Sequence, residues 1–178
     1  DDKGSYVYGE KEVWYLHSVE SRNMIAQFIL SDRNDGLGVI GVDGGVDATN
    51  KLKKLDRIDL FSKADLLQYG DKAVPIKSVH FVYDYSLCKG VTNQVNTAEG
   101  KLTLQAIYFT FGNNTKGIIN QYQFDYDETN PDANPNYNGL NYDRWGGYKD
   151  QNEAASYFPN PSDVPNGVDF PYSIQDKT

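Results

Sequence analysis

Four short stretches of this chain alternate aromatic or aliphatic residues with polar ones: residues 57–61, 78–85, 106–111 and 122–126. In the last, Tyr122, Phe124 and Tyr126 point one way while Gln123 and Asp125 point the other. Successive side chains of a strand leave opposite faces, so this spelling describes half-buried antiparallel strands. It constrains the architecture far more than the activity.

Further strands follow from the same reasoning. Residues 12–20 place Val13, Tyr15, His17 and Val19 on one face, and residues 24–30 supply a partner across the short loop Ser21-Arg22-Asn23. Residues 32–50 are rich in Gly, Asp and Asn without a sustained period, which predicts a long surface loop. A strand over 55–61 runs into Ser62-Lys63-Ala64-Asp65, which approximates a capping box, and Gly70 stands where a helix would stop. A helix of about two turns is therefore expected over residues 63–69. Pro75 restarts extended chain and a strand over 76–85. Residues 90–100 form a polar connection, and residues 101–111 and 118–126 form a hairpin around 112–117.

From residue 127 onward the texture changes. Residues 127–141 and 151–167 are dense in Asn, Pro and Asp, and six of the seven prolines lie beyond residue 130. Such stretches wrap a scaffold rather than build a second core. The expected fold is mainly β: an antiparallel meander with one short helix and long Pro/Asn-rich loops in the C-terminal third. We expect one β-rich segment over 1–178, with its core at 12–126 and loops at 127–178. Opening on Asp1-Asp2-Lys3-Gly4 and closing on an unfinished tail, it reads as part of a longer chain.

At 178 residues the chain is long enough for a core without staples. Its net charge of −8 argues against nucleic acid and against docking on anionic lipid. No run of about 18 apolar residues is present, so no membrane insertion is expected. The single cysteine, Cys88, excludes an internal disulfide framework and a multi-cysteine zinc site.

Candidate chemistry is sparse. Gly36-Leu37-Gly38-Val39-Ile40-Gly41 matches G-x-G-x-x-G, but no helix-forming sequence follows to face a pyrophosphate, so we read a flexible loop. Asp125, Asp127, Glu128 and Asp132 could supply oxygens to calcium, with Asp32, Asn34 and Asp35 as a second acidic cluster. The spacing fits no EF-hand, and a solvated acidic loop is the reading preferred; no other cofactor is expected. Tyr142, Asp143, Arg144, Trp145 and Tyr148 form the most distinctive string, with a double glycine between Trp145 and Tyr148. They could stack on a sugar ring and bond its hydroxyls. The reading preferred is structural: Trp145 plugs the open end of a sheet while Arg144 pairs with a loop carboxylate.

His17 and His80, the only histidines, fall in expected strands far apart, which gives no triad or two-histidine metal site. Cys88 beside either histidine could be a thiol nucleophile, but a small buried hydrophobe is the simpler reading. Acids are abundant enough to supply a glycosidase pair, though nothing marks one. Asn113-Asn114-Thr115 is a glycosylation sequon of a kind that arises often by chance.

Several strings taken in order carry a family resemblance: residues 12–20 (EVWYLHSVE), 79–88 (VHFVYDYSLC), 100–104 (GKLTL) and 142–149 (YDRWGGYK). Together they resemble a segment of very large surface or secreted proteins of Bacteroidota, themselves distantly similar to the Rhs/YD-repeat class. The resemblance covers most of residues 10–172, but tandem YD repeats are absent. It implies an exported β-rich scaffold at a bacterial cell surface and carries no catalytic residues. The expectation is a non-catalytic structural segment, its partners neighbouring β-elements of the parent chain or a second copy. The alternatives are a carbohydrate-binding module on Trp145, Tyr142 and Tyr148, and a carboxylate-pair glycoside hydrolase.

Overall fold

The computed structural model describes residues 8–127, 133–138 and 148. Eight strands are found among them: β1 (Ser18–Glu20), β2 (Met24–Asp32), β3 (Gly38–Gly41), β4 (Gly44–Asp47), β5 (Lys53–Ser62), β6 (Lys77–Asp84), β7 (Thr103–Thr110) and β8 (Tyr122–Gln123). A helix, α1 (Lys63–Tyr69), and a 3-10 turn (Gly70–Lys72) connect β5 to β6. Residues Tyr8–Asn136 form one compact unit; Tyr137, Asn138 and Tyr148 belong to another.

Six strands make one sheet in the order β1-β2-β5-β6-β7-β8, and β3 and β4 make a separate hairpin. Every pairing is antiparallel. The fold is thus the expected antiparallel, mainly β architecture with a single short helix. It is a meander, because each strand of the large sheet pairs with the preceding and following strands of that sheet. Bulges interrupt the β2–β5 ladder at Ile29/Leu30 and the β6–β7 ladder at Val82/Tyr83.

The register sorts the side chains. Phe61, Asp59, Ser78 and Ala106 occupy one face and are buried. Ile58, Leu60, Val79, Phe81, Ile107 and Phe109 occupy the other and are only half-buried. There Phe109 meets Tyr122 edge to face at 6.1 Å, and the Lys77 ammonium lies 4.2 Å from the centre of the Phe109 ring. A second buried knot lies off the sheet, where Leu37, Val91, Asp35 and Gln94 are shielded. No large side chain among the described residues is fully buried.

The helix forms where the sequence places it. Ser62 adopts extended backbone and its hydroxyl accepts the Asp65 N–H at 3.5 Å. Gly70 ends the helix at φ +54°, in the left-handed region that a side chain resists.

Four expectations are corrected. The long loop at 32–50 contains the β3–β4 hairpin, because Val39 pairs with Val46 and Gly41 with Gly44 around a Val42-Asp43 turn. The strand at 118–126 shrinks to β8, because Lys116–Asn120 coil into a 3-10 turn that takes Ile118 and Ile119 out of register. Only Ser18–Glu20 of the strand at 12–20 enters the ladder, so His17 lies just outside it. Cys88 is not a buried hydrophobe: it is half-buried, a free thiol, and holds φ +53° in a bend after β6.

Candidate functional site

Three polar arrangements stand out, each combining local side-chain pairs with groups that long-range pairing brings beside them. The first crosses the centre of the sheet. Registers place Arg57, His80 and Tyr108 in one row and Asp59, Ser78 and Thr110 in the next. The Arg57 Nε donates to both oxygens of Asp59 at 2.8 Å, and the Ser78 hydroxyl donates to Asp59 Oδ1 at 2.6 Å. The His80 ring stacks on Tyr108 with centroids 4.4 Å apart and planes 3° from parallel, and its Nε2 lies 2.9 Å from Thr110 Oγ1. Ser78, His80 and Asp59 therefore share a face without forming a catalytic relay. The serine hydroxyl is committed to the carboxylate, and the imidazole pairs with Thr110.

The second arrangement locks the loop after β2 to the start of β7. Arg33 binds Asp35 in a fork, Nε to Oδ1 at 3.0 Å and Nη2 to Oδ2 at 2.7 Å, and the Leu102 N–H donates to Oδ2 at 3.0 Å. Burial would push the Asp35 carboxyl up, but Arg33 and the Leu102 amide outweigh it and hold the group below the usual carboxylate range. The Asn34 N–H donates to the Tyr85 hydroxyl at 3.0 Å, and its carbonyl accepts the Val95 N–H at 2.8 Å. Asp32 pairs with Lys53. The Asp32 and Asp35 carboxylates are thus spent on the protein's own cations and donors, and Asn34 is held through its backbone.

The third is a cleft of about 430 Å³ lined by Asp84, Tyr85, Ser86, Lys89, Ala98 and Glu99. Ser86 donates its N–H and hydroxyl to Asp84. Glu99 Oε1 accepts from Asn96 at 3.3 Å, while its Oε2 is shut away from solvent and has no hydrogen-bond partner. Next to Glu99 in sequence, Gly100 packs tightly, since a Cβ there would lie 1.7 Å from the Leu87 carbonyl oxygen. Neither histidine nor Cys88 lines this cleft.

Of the acidic residues that could supply oxygens to calcium, Asp125 and Asp127 are exposed, and the Asp127 carbonyl accepts from Asn134 Nδ2 at 2.9 Å. Glu128 and Asp132 lie outside the described residues, among which no group of three or more His, Cys, Asp or Glu could hold a metal ion. Tyr148 is exposed; Tyr142, Asp143, Arg144 and Trp145 lie outside the described residues. No described helix is long and apolar enough to cross a membrane.

Sequence reasoning missed Arg57, Asp59 and Ser78 as a group, and Arg33 with Asp35. The i, i+2 spacing of opposite charges in both pairs was the available signal. No protein-family model, curated protein or solved structure matches this chain.

Proposed function

We propose that this chain is a non-catalytic structural β-scaffold segment of a large exported bacterial surface protein of the Rhs-like kind. One observation supports it most: the apolar face of the sheet is only half-buried. Ile58, Leu60, Val79, Phe81, Ile107 and Phe109 all stand on it. Burying such a side chain from full exposure is worth about 1.5–3 kcal/mol, so a neighbouring β-element laid on these half-buried ones would add the remaining fraction at each of them. Exposed Val39, Ile40, Val42 and Val46 on the β3–β4 hairpin offer further area for the same purpose.

The test compares hydrogen exchange of β5, β6 and β7 in this chain alone and within a longer parent polypeptide. Greater protection in the longer polypeptide is expected, together with self-association and binding of a hydrophobic dye by the chain alone. A dye-silent monomer with unchanged protection would defeat the proposal. Saturable polysaccharide binding, read by tryptophan fluorescence and lost in a folded Trp145→Ala variant, would replace it with the carbohydrate-binding reading.

One observation favours a second reading. Asp84 and Glu99 line the same cleft, and a glycoside hydrolase needs two facing carboxyl groups. Release of reducing sugar, abolished in a folded Glu99→Gln variant, would establish that activity.

A further inference from the structure

The six strands are not joined equally. β2 and β5 share nine paired residues and β6 and β7 share seven, whereas β5 and β6 share four, from Leu60↔Lys77 to Arg57↔His80. One more backbone bond, from the Ile76 N–H to the Leu60 carbonyl at 2.8 Å, extends that seam at its far end. The β5–β6 seam is therefore the shortest of the central joints. It separates β1-β2-β5 from β6-β7-β8.

His80 stands on the last rung of this seam. Arg57 faces it from β5, with Asp59 diagonal to it; Tyr108 and Thr110 face it from β7; Ser78 and Val82 flank it on its own strand. The charged groups among these are Arg57 and Asp59, and the Asp59 oxygens already accept from Arg57 and from the Ser78 hydroxyl. A proton on His80 puts a second cation directly opposite Arg57, with the diagonal Asp59 carboxylate already engaged. Like charges directly opposite on antiparallel strands destabilise the pair. The Tyr108 ring acts in the other direction, since an aromatic face attracts a cation, but it stands on β7 and so does not hold β6 to β5.

We propose that the β5–β6 seam is an acid-sensitive joint, loosened when His80 is protonated opposite Arg57. Burial of the imidazole and the nearby guanidinium both lower its pKa from 6.5, against the smaller pull of Asp59. The opened seam then binds the proton more readily than the closed one, so the open fraction rises as the pH falls through 6.5. It stops rising once the pH is below the closed-state value.

The experiment is hydrogen exchange on the intact chain at pH 7.5 and pH 5, corrected for intrinsic rates, with wild type and His80→Gln. The expected result is protection of the seam amides, those of Ile58, Leu60, Ile76 and Val79, falling by about threefold to tenfold at pH 5 in wild type. The β2–β5 ladder should keep its protection, and the seam of His80→Gln should show no such fall. An equal fall in His80→Gln, or an equal fall across every ladder, would overturn the proposal. Should His80→Gln fail to fold, NMR titration of the wild-type imidazole decides: a midpoint below 6.5 supports the joint, and one at or above 6.5 refutes it.

Discussion

Asp35 and Leu102 stand 67 residues apart in the chain, and the carboxylate of one accepts the backbone N–H of the other at 3.0 Å. With Arg33 forked onto the same carboxylate, this contact ties the loop after β2 to the entry of β7. Removing one partner of a buried, hydrogen-bonded ion pair leaves the other uncompensated. Because the Arg33 side chain is partly exposed, Asp35→Ala should cost about 2–3 kcal/mol rather than more. Asp35→Asn, which keeps an acceptor for Leu102, should cost less. Urea denaturation of both variants checks the order, and equal losses would assign the whole effect to the charge.

Acid should weaken the protein through its carboxylates as well. The hydroxyl and amide of Thr49 and the Asn50 side chain hold the Asp47 carboxyl at about 2, and Asp35 is also depressed. Groups whose folded pKa is lowered contribute stability that is present in full above the unfolded value of 3.8 and lost as the pH falls toward 2. The urea midpoint should therefore drop between pH 5 and pH 2, and drop less in a double Asp35→Asn, Asp47→Asn variant. A midpoint indifferent to pH over that range would contradict the assignment.

The two ends of α1 should respond differently to alanine. The Ser62 cap bond is long at 3.5 Å, so Ser62→Ala should cost only about 0.5 kcal/mol. At Gly70 a Cβ meets nothing within 4 Å, but φ is +54°. Gly70→Ala should cost about 1–2 kcal/mol through backbone conformation alone. Thermal melts of the two variants, with Gly70→Ala the less stable, are the check.

Gly100 presents the opposite case. Its backbone is ordinary, but an added Cβ would sit 1.7 Å from the Leu87 oxygen. Gly100→Ala should cost about 2–3 kcal/mol by overpacking and should speed exchange of the Lys101 amide, which donates to that same oxygen at 2.8 Å. Wild-type exchange at Lys101 would show that the turn moves aside freely.

The sheet was legible wherever alternation coincided with a partner. The stretches at 57–61, 78–85 and 106–111 coincide with β5, β6 and β7, with Tyr85 and Phe111 just past the strand ends, and α1 matches its expected bounds because cap and stop are local signals. Tyr122, Phe124 and Tyr126 alternate just as well, yet only Tyr122 joins the ladder. The Phe124 N–H reaches Gln105 at 2.9 Å and the Tyr126 hydroxyl reaches Leu104 at 2.8 Å beside the bulge. Alternation reports a face, and a ladder also needs a neighbour in register. The β3–β4 hairpin was obscured by glycine density, although Asp43-Gly44 between Val and Ile residues is a hairpin signal. The polar groups on the sheet could not be read in advance, because Asp59 meets Ser78, and His80 meets Tyr108, only through long-range register.

The turn at the Tyr85–Gly100 neck has a consequence for what its crest can become. The neck is closed by the Gly100 N–H on the Tyr85 carbonyl at 2.6 Å, and Val95 is moored to Asn34 at 2.8 Å. Residues 96–99 form an outcrop between two fixed posts, with an Asn96–Glu99 turn of their own. New residues spliced into that outcrop would change what the surface displays while the posts keep the strands from sensing the exchange.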